Sequence, residues 1–165
     1  MICWEEVAKL APIATASIAL VALFVAMISI RTQKAVARNR AAIDVFLKTE
    51  MDKEMLAAYR AYTAALRNLE TFTSIEDFAL TSEYQSIRTY LDVNELICIG
   101  INHKVFDEHI CYGFWRTMLA TACRDAAKVI DHARSQPNGE HTYDQLLHVN
   151  HRWTGRPRIW QTWRR

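Results

Sequence analysis

Seven side chains in the 165-residue sequence have types and spacings that invite a chemical reading. His148 and His151 stand three apart, on one face if the segment is helical, and such a pair can chelate a metal. His109 and Cys111 would add ligands from another segment, but a structural zinc site needs four convergent ligands and normally shows paired close spacings. Only one close histidine pair exists, so the expectation is solvated histidines on a polar helix and no metal site. Asn94 and Glu95 lie on or beside an apolar stripe, where a polar group must find a partner or cost a few kcal/mol. Arg116, in the following helix, is the natural counter-ion for Glu95. We read Asn94, Glu95 and Arg116 as a candidate buried polar site, more structural than catalytic, because an isolated pair has no nucleophile, metal or assigned reaction.

No glycine-rich phosphate loop, no serine or cysteine nucleophile in a recognisable setting and no paired-carboxylate motif occurs. The sequence therefore predicts no enzyme, no catalytic residue and no cofactor. The main alternative is a membrane-tethered enzyme or metal-dependent effector using Glu95, His109 and their neighbours. Interference with an incoming phage is a third possibility, raised by the layout of small anchored prophage proteins.

The elements that would position these residues begin with an anchor. Leu10 to Ile30 run for 21 positions without a charge, an amide or a histidine. As a helix this run is about 31 Å long, which matches a hydrocarbon core of about 30 Å. A cleavable leader would want a basic start and an apolar core of about 7 to 15 residues. Here the start carries Glu5 and Glu6, and the core is longer. Four cations, Arg31, Lys34, Arg38 and Arg40, follow within ten residues, whereas Lys9 precedes beside two carboxylates. The cation asymmetry predicts a single-pass protein of the inner membrane, with the N-terminus outside and the large domain in the cytoplasm. Small residues Ala11, Thr15, Ala19, Ala22, Ala26 and Ser29 recur at helical spacing in the span, which would suit a homo-oligomer formed through the transmembrane helix.

The rest reads as an all-α chain: one N-terminal transmembrane helix followed by a small helical-bundle domain. Expected boundaries are a tail at 1–9, the span at 10–30, a juxtamembrane helix at 31–48, a cytoplasmic helical domain at 49–152 and a basic tail at 153–165. Thr49 with Asp52 resembles a capping box that opens a helix with the stripe Met51, Met55, Tyr59, Tyr62, Leu66 and Leu69. Ser82 with Gln85 opens another, striped by Ile87, Tyr90, Leu91, Ile97, Cys98 and Ile101, with Asn94 on its apolar face. Leu96 to Ile101 are apolar nearly all round, which predicts the centre of the core; Gly100 would admit a neighbour or end the helix. A strand is the alternative for these six residues. Asp107 caps one long helix that ends at Pro137-Asn138-Gly139, and Thr142 with Gln145 starts a last short one. Cys98, Cys111 and Cys123 fall irregularly within apolar patterns, as reduced core thiols would.

Charge is segregated along the chain. Residues 31–40 hold four cations and no acid, residues 41–151 hold ten cations against sixteen acids, and residues 152–165 hold five arginines and no acid. An acidic body between two basic ends argues against nucleic-acid binding. The last segment, with Trp153, Arg156, Arg158, Trp160, Trp163, Arg164 and Arg165, suits contact with a lipid bilayer or a protein partner of unknown identity.

The run Tyr90-Leu91-Asp92-Val93-Asn94-Glu95-Leu96-Ile97, followed by Gly100-Ile101, Phe106-Asp107-Glu108 and Trp115, resembles a bacterial family catalogued as domain of unknown function 4760. The resemblance covers residues 15 to 153 and implies one N-terminal span joined to a small helical domain. It implies no catalytic residue.

Overall fold

The computed structural model describes residues 4–155, with side chains from Thr15 onward. Seven helices occur among them, and no strand. α1 (Trp4–Met51) runs without interruption through the expected span and juxtamembrane segment. The chain divides into two compact units, one through Arg38 and one from Asn39 onward.

In the first unit every residue from Thr15 to Lys34 is exposed, including Ile18, Leu20, Val21, Leu23 and Phe24 at 59–70% of their maximum. This is the one helix among the described residues long and apolar enough to cross a membrane. The small residues Ala19, Ala22, Ala26 and Ser29 are exposed along it too.

The second unit is a helical body comprising the end of α1, α2 (Lys53–Leu69), α3 (Ile75–Ala79), α4 (Ser82–Asn102), α5 (Glu108–Asp125), α6 (Ala127–Ser135) and α7 (Asp144–Thr154). α4 is its centre, packing against α2, α3, α5, α6 and α7. The expected stripe Ile87, Tyr90, Leu91, Asn94, Ile97, Cys98 and Ile101 is buried in full. Burying each large apolar side chain contributes roughly 1.5–3 kcal/mol, so this helix supplies much of the core. The turn from Leu96 to Ile101 is helix, and the core lies on one side of it only: Leu96 is 67% and Ile99 37% exposed. Gly100 admits the Phe106 ring, which sits where a Cβ would come within 2.3 Å of it.

Several helix starts differ from expectation for local reasons. α2 is capped by Asp52 alone, whose Oδ1 accepts the amides of Glu54 and Met55 at 2.8 and 3.4 Å. Thr49 is still inside α1, where its hydroxyl donates to the Phe46 carbonyl at 2.9 Å. Of the α2 stripe only Tyr62 and Leu69 are buried, with Ala65 buried beside them; Met51 and Tyr59 stay exposed at 74% and 48%. Thr81, one residue earlier than expected, caps α4, and Ser74 and Asp107 cap α3 and α5.

The single long helix expected after Asp107 is two. It breaks at Ala126, fully buried with φ −96° and ψ 14°, and α6 then turns Val129, Ile130 and Ala133 inward and packs on α3, α4 and α5. α7 starts from Tyr143, a buried residue in the left-handed region at φ 64° that provides no side-chain cap. It passes back across α4 and α5.

Candidate functional site

Glu95 and Arg116 form no ion pair. The expectation failed because Glu95 is claimed by backbone: its Oε1 accepts the amide of Gln145 at 3.1 Å and its Oε2 that of Leu146 at 2.5 Å. These are first-turn amides of α7, and Tyr143 caps neither. A helix N-terminus has unsatisfied donors and a partial positive charge, so a carboxylate from another helix serves as its cap. Arg116 turns along its own helix, donating to the Tyr112 hydroxyl at 3.0 Å with its guanidinium 5.2 Å from that ring's centroid. With both oxygens engaged, Glu95 is an anchor rather than a free general base.

The same edge of α4 holds α7 at other points. Asp92 accepts the Tyr143 hydroxyl at 3.1 Å, Arg88 donates to that hydroxyl at 3.4 Å, and Asn102 donates to the Gln145 side chain at 2.6 Å. Burial pushes the Tyr143 hydroxyl up to about 12, an effect that the Arg88 hydrogen bond opposes. At the far end of α7 the Trp153 indole donates to Glu108 at 3.1 Å, and Arg152 lies 3.1 Å from the same carboxylate oxygen. Trp153 is only 2% exposed, so it belongs to the body and not to the expected tail from 153 onward. Its indole is core with one satisfied polar edge. Arg156, Arg158, Trp160, Trp163, Arg164 and Arg165 lie outside the described residues.

The histidines do not converge. His109, His148 and His151 are exposed while Cys111 is fully buried, and no group of three potential ligands forms a metal site among the described residues. The three described cysteines are buried thiols. Burial raises all three, Cys111 to about 12 and Cys123 to about 11, and Cys98 furthest.

Asn94 is different. It is 3% exposed, its Nδ2 donates to the Tyr90 carbonyl at 2.8 Å, and its side chain borders a cavity of about 280 Å³. The walls are Met55, Tyr59, Tyr90, Trp115 and Met118, with Thr49 and Glu50 at the α1 end. Tyr90 stacks on Tyr62 with centroids 4.2 Å apart and meets Tyr59 at 5.8 Å. Trp115 instead makes its ring contacts with Phe46 and Phe114, at 4.4 and 5.5 Å. Burial raises the Tyr90 hydroxyl above the ordinary tyrosine range; the Asn94 amide opposes this, and Tyr59 and Glu50 add to it. A wider, open depression of about 610 Å³ between α3 and α6 is lined by Glu76, Lys128 and Asp131 together with Leu69, Phe72 and Ile75, a surface of mixed polarity.

Periodicity placed Met55, Tyr59 and Tyr90 on apolar stripes, but a stripe does not reveal a gap left between two of them. The α4 edge was legible in part: Arg88, Asp92 and Glu95 follow at spacings of four and three, a polar line beside the buried stripe.

The model of a family described as Domain of unknown function (DUF4760) matches residues 16–153, ending on the buried Trp153. No curated protein and no solved structure matches the chain.

Proposed function

We propose that this chain, which belongs to the domain of unknown function 4760 family, is a single-span membrane protein whose helical body is an interaction module for a protein partner. The observation that carries the reading is the exposure of every apolar side chain from Thr15 to Ile30 on an uninterrupted helix. In water each large one would forgo roughly 1.5–3 kcal/mol of burial, and a bilayer supplies it. The cations Arg31, Lys34, Arg38 and Arg40 just beyond the apolar run favour retention of the body on the cytoplasmic side of the inner membrane. The small-residue line through Ala19, Ala22 and Ala26 favours pairing of two such spans. An interaction role, rather than catalysis, is supported by how the polar groups are used: Glu95, Asp92 and Asn102 are engaged in holding α7.

The test combines carbonate extraction, intact mass and topology reporters. The protein should stay in the washed membrane fraction, keep its full N-terminal mass and, with a reporter fused after Arg165, show activity only for a cytoplasm-dependent reporter. A mass shortened after Ala37 would make the helix a cleaved leader, and an active periplasmic reporter would invert the orientation. Detergent-solubilised protein that purifies with no stoichiometric companion would sink the interaction reading.

A further inference from the structure

The cavity beside Asn94 has a consistent electrical character. Among its described lining residues there is no lysine, arginine or histidine, and Glu50 is the only one of them with a formal charge. Thr49 already spends its hydroxyl proton on the Phe46 carbonyl, so its remaining capacity is as an acceptor. Asn94 is 97% buried, lines the cavity and has its Nδ2 given to the Tyr90 carbonyl, which leaves its amide oxygen as an acceptor beside the space. Trp115 makes no ring contact with Tyr59 or Tyr90, so the cavity parts an indole on one wall from a tyrosine pair on the other. The sulfurs of Met55 and Met118 are polarisable and adapt to the shape of a guest.

Acceptor oxygens, an exposed carboxylate and aromatic rings on two walls suit a desolvated organic cation, which is attracted to the negative face of a ring it can reach. An anion would be repelled by Glu50 and would find only the neutral hydroxyl and indole donors of Tyr59, Tyr90 and Trp115, with no cationic partner among the described lining residues. A volume of about 280 Å³ is at the lower end of ligand-sized cavities, which limits the guest to a small molecule or to the end of a larger one. We propose that the cavity bounded by Tyr59, Tyr90, Asn94, Trp115 and Glu50 binds a quaternary alkylammonium group. Tyr59, 48% exposed, would be the movable wall, while Tyr90 and Trp115, at 8% and 2%, are fixed by packing. The site does not depend on the anchor or on a protein partner, so it stands or falls separately from both.

The experiment is calorimetric titration of the full chain in maltoside micelles with choline, with tetramethylammonium and with dimethylbutanol, the uncharged carbon isostere of choline. Both cations should bind at one site per chain, with choline favoured over its isostere by about tenfold, the span expected of a desolvated cation between aromatic faces. Glu50→Gln and Tyr59→Leu, both at exposed positions, should each weaken choline by roughly three- to tenfold with an unchanged melting temperature. Competition by vesicles of phosphatidylcholine but not phosphatidylglycerol would identify a lipid headgroup as the source; binding without such competition would identify a free amine. Equal affinity for choline and its isostere, indifference to both substitutions, or no saturable binding at all would overturn the proposal.

Discussion

Replacing Glu95 with alanine removes the acceptor for two amides at the start of α7, and the size of the loss follows from that geometry. A hydrogen bond to a charged group contributes about 1.5–3 kcal/mol, and favourable interaction with a helix N-terminus about 0.3–1 kcal/mol. Glu95 is half-buried, so water would replace part of what is lost. Its two bonds, at 3.1 and 2.5 Å, therefore convert to about 2–4 kcal/mol for Glu95→Ala. For a domain of this size that is roughly 3–5 °C per kcal/mol, or about 10 °C in melting temperature. Glu95→Gln keeps one acceptor oxygen and should lose about half as much. Thermal unfolding of the full chain in maltoside micelles, followed by near-ultraviolet circular dichroism, reads the body's tertiary packing. Arg116→Ala provides the control. If Glu95 caps α7, the double variant Glu95→Ala/Arg116→Ala should show coupling below about 0.5 kcal/mol. A melting temperature for Glu95→Ala within about 1 °C of the parent would refute the capping argument. Coupling of several kcal/mol would restore the ion pair expected from sequence.

Gly100→Ala should destabilise the body by about 1–3 kcal/mol, since its Cβ would meet the Phe106 ring, and Phe106→Leu should relieve part of the loss. Gly113→Ala, with open space around it in the middle of α5, should stabilise by about 0.5–1 kcal/mol; both are read by melting temperature, and equal effects would contradict the packing. In a Cys3→Ser background, Cys98, Cys111 and Cys123 should resist a thiol reagent at pH 8 in the folded protein and react on unfolding, because burial holds all three thiols protonated; rapid labelling of native protein would contradict this. Hydrogen bonds from Arg134 first and His141 second hold the Asp144 carboxyl below its ordinary value of 3.8. A lowered folded-state value stabilises above the ordinary range, and that stabilisation fades as pH falls through the folded value. The stability difference between the parent and Asp144→Asn should accordingly shrink as pH falls below 3.8, and a difference independent of pH would count against the interaction.

How far the sequence was legible depended on whether a feature was local. The long apolar run, the α4 stripe and the cap at Asp107 follow from neighbours within a turn or two, and each appears in the structure. The break at Ala126 has no such signature: the run from Arg124 to Ala127 contains neither glycine nor proline, and the bend is visible only as packing of α6 against helices distant in sequence. Glu95 was recognisable as a polar group needing a partner, but a backbone amide fifty residues away leaves no mark in side-chain identity. Trp153 was misread by its company, since the arginines after it made an indole of the core resemble part of an interfacial tail. The cavity was hidden for a further reason: periodicity identifies which residues face inward and is blind to how completely they fill the space.

The docking of α7 sets an order of assembly. Its bonds to Asp92 and Glu95 bridge 51 and 50 residues, and that to Glu108 bridges 45, while its immediate predecessor α6 is not among the helices it chiefly packs on. Closing a loop of this length costs entropy before any of its contacts are gained. Ahead of that closure, the Glu95 carboxylate and the apolar α4 flank are unshielded on a nascent domain. The closure cost favours docking of α7 after nearer contacts have formed, and chains arrested before residue 144 would present chaperones and proteases with the surface that α7 otherwise seals.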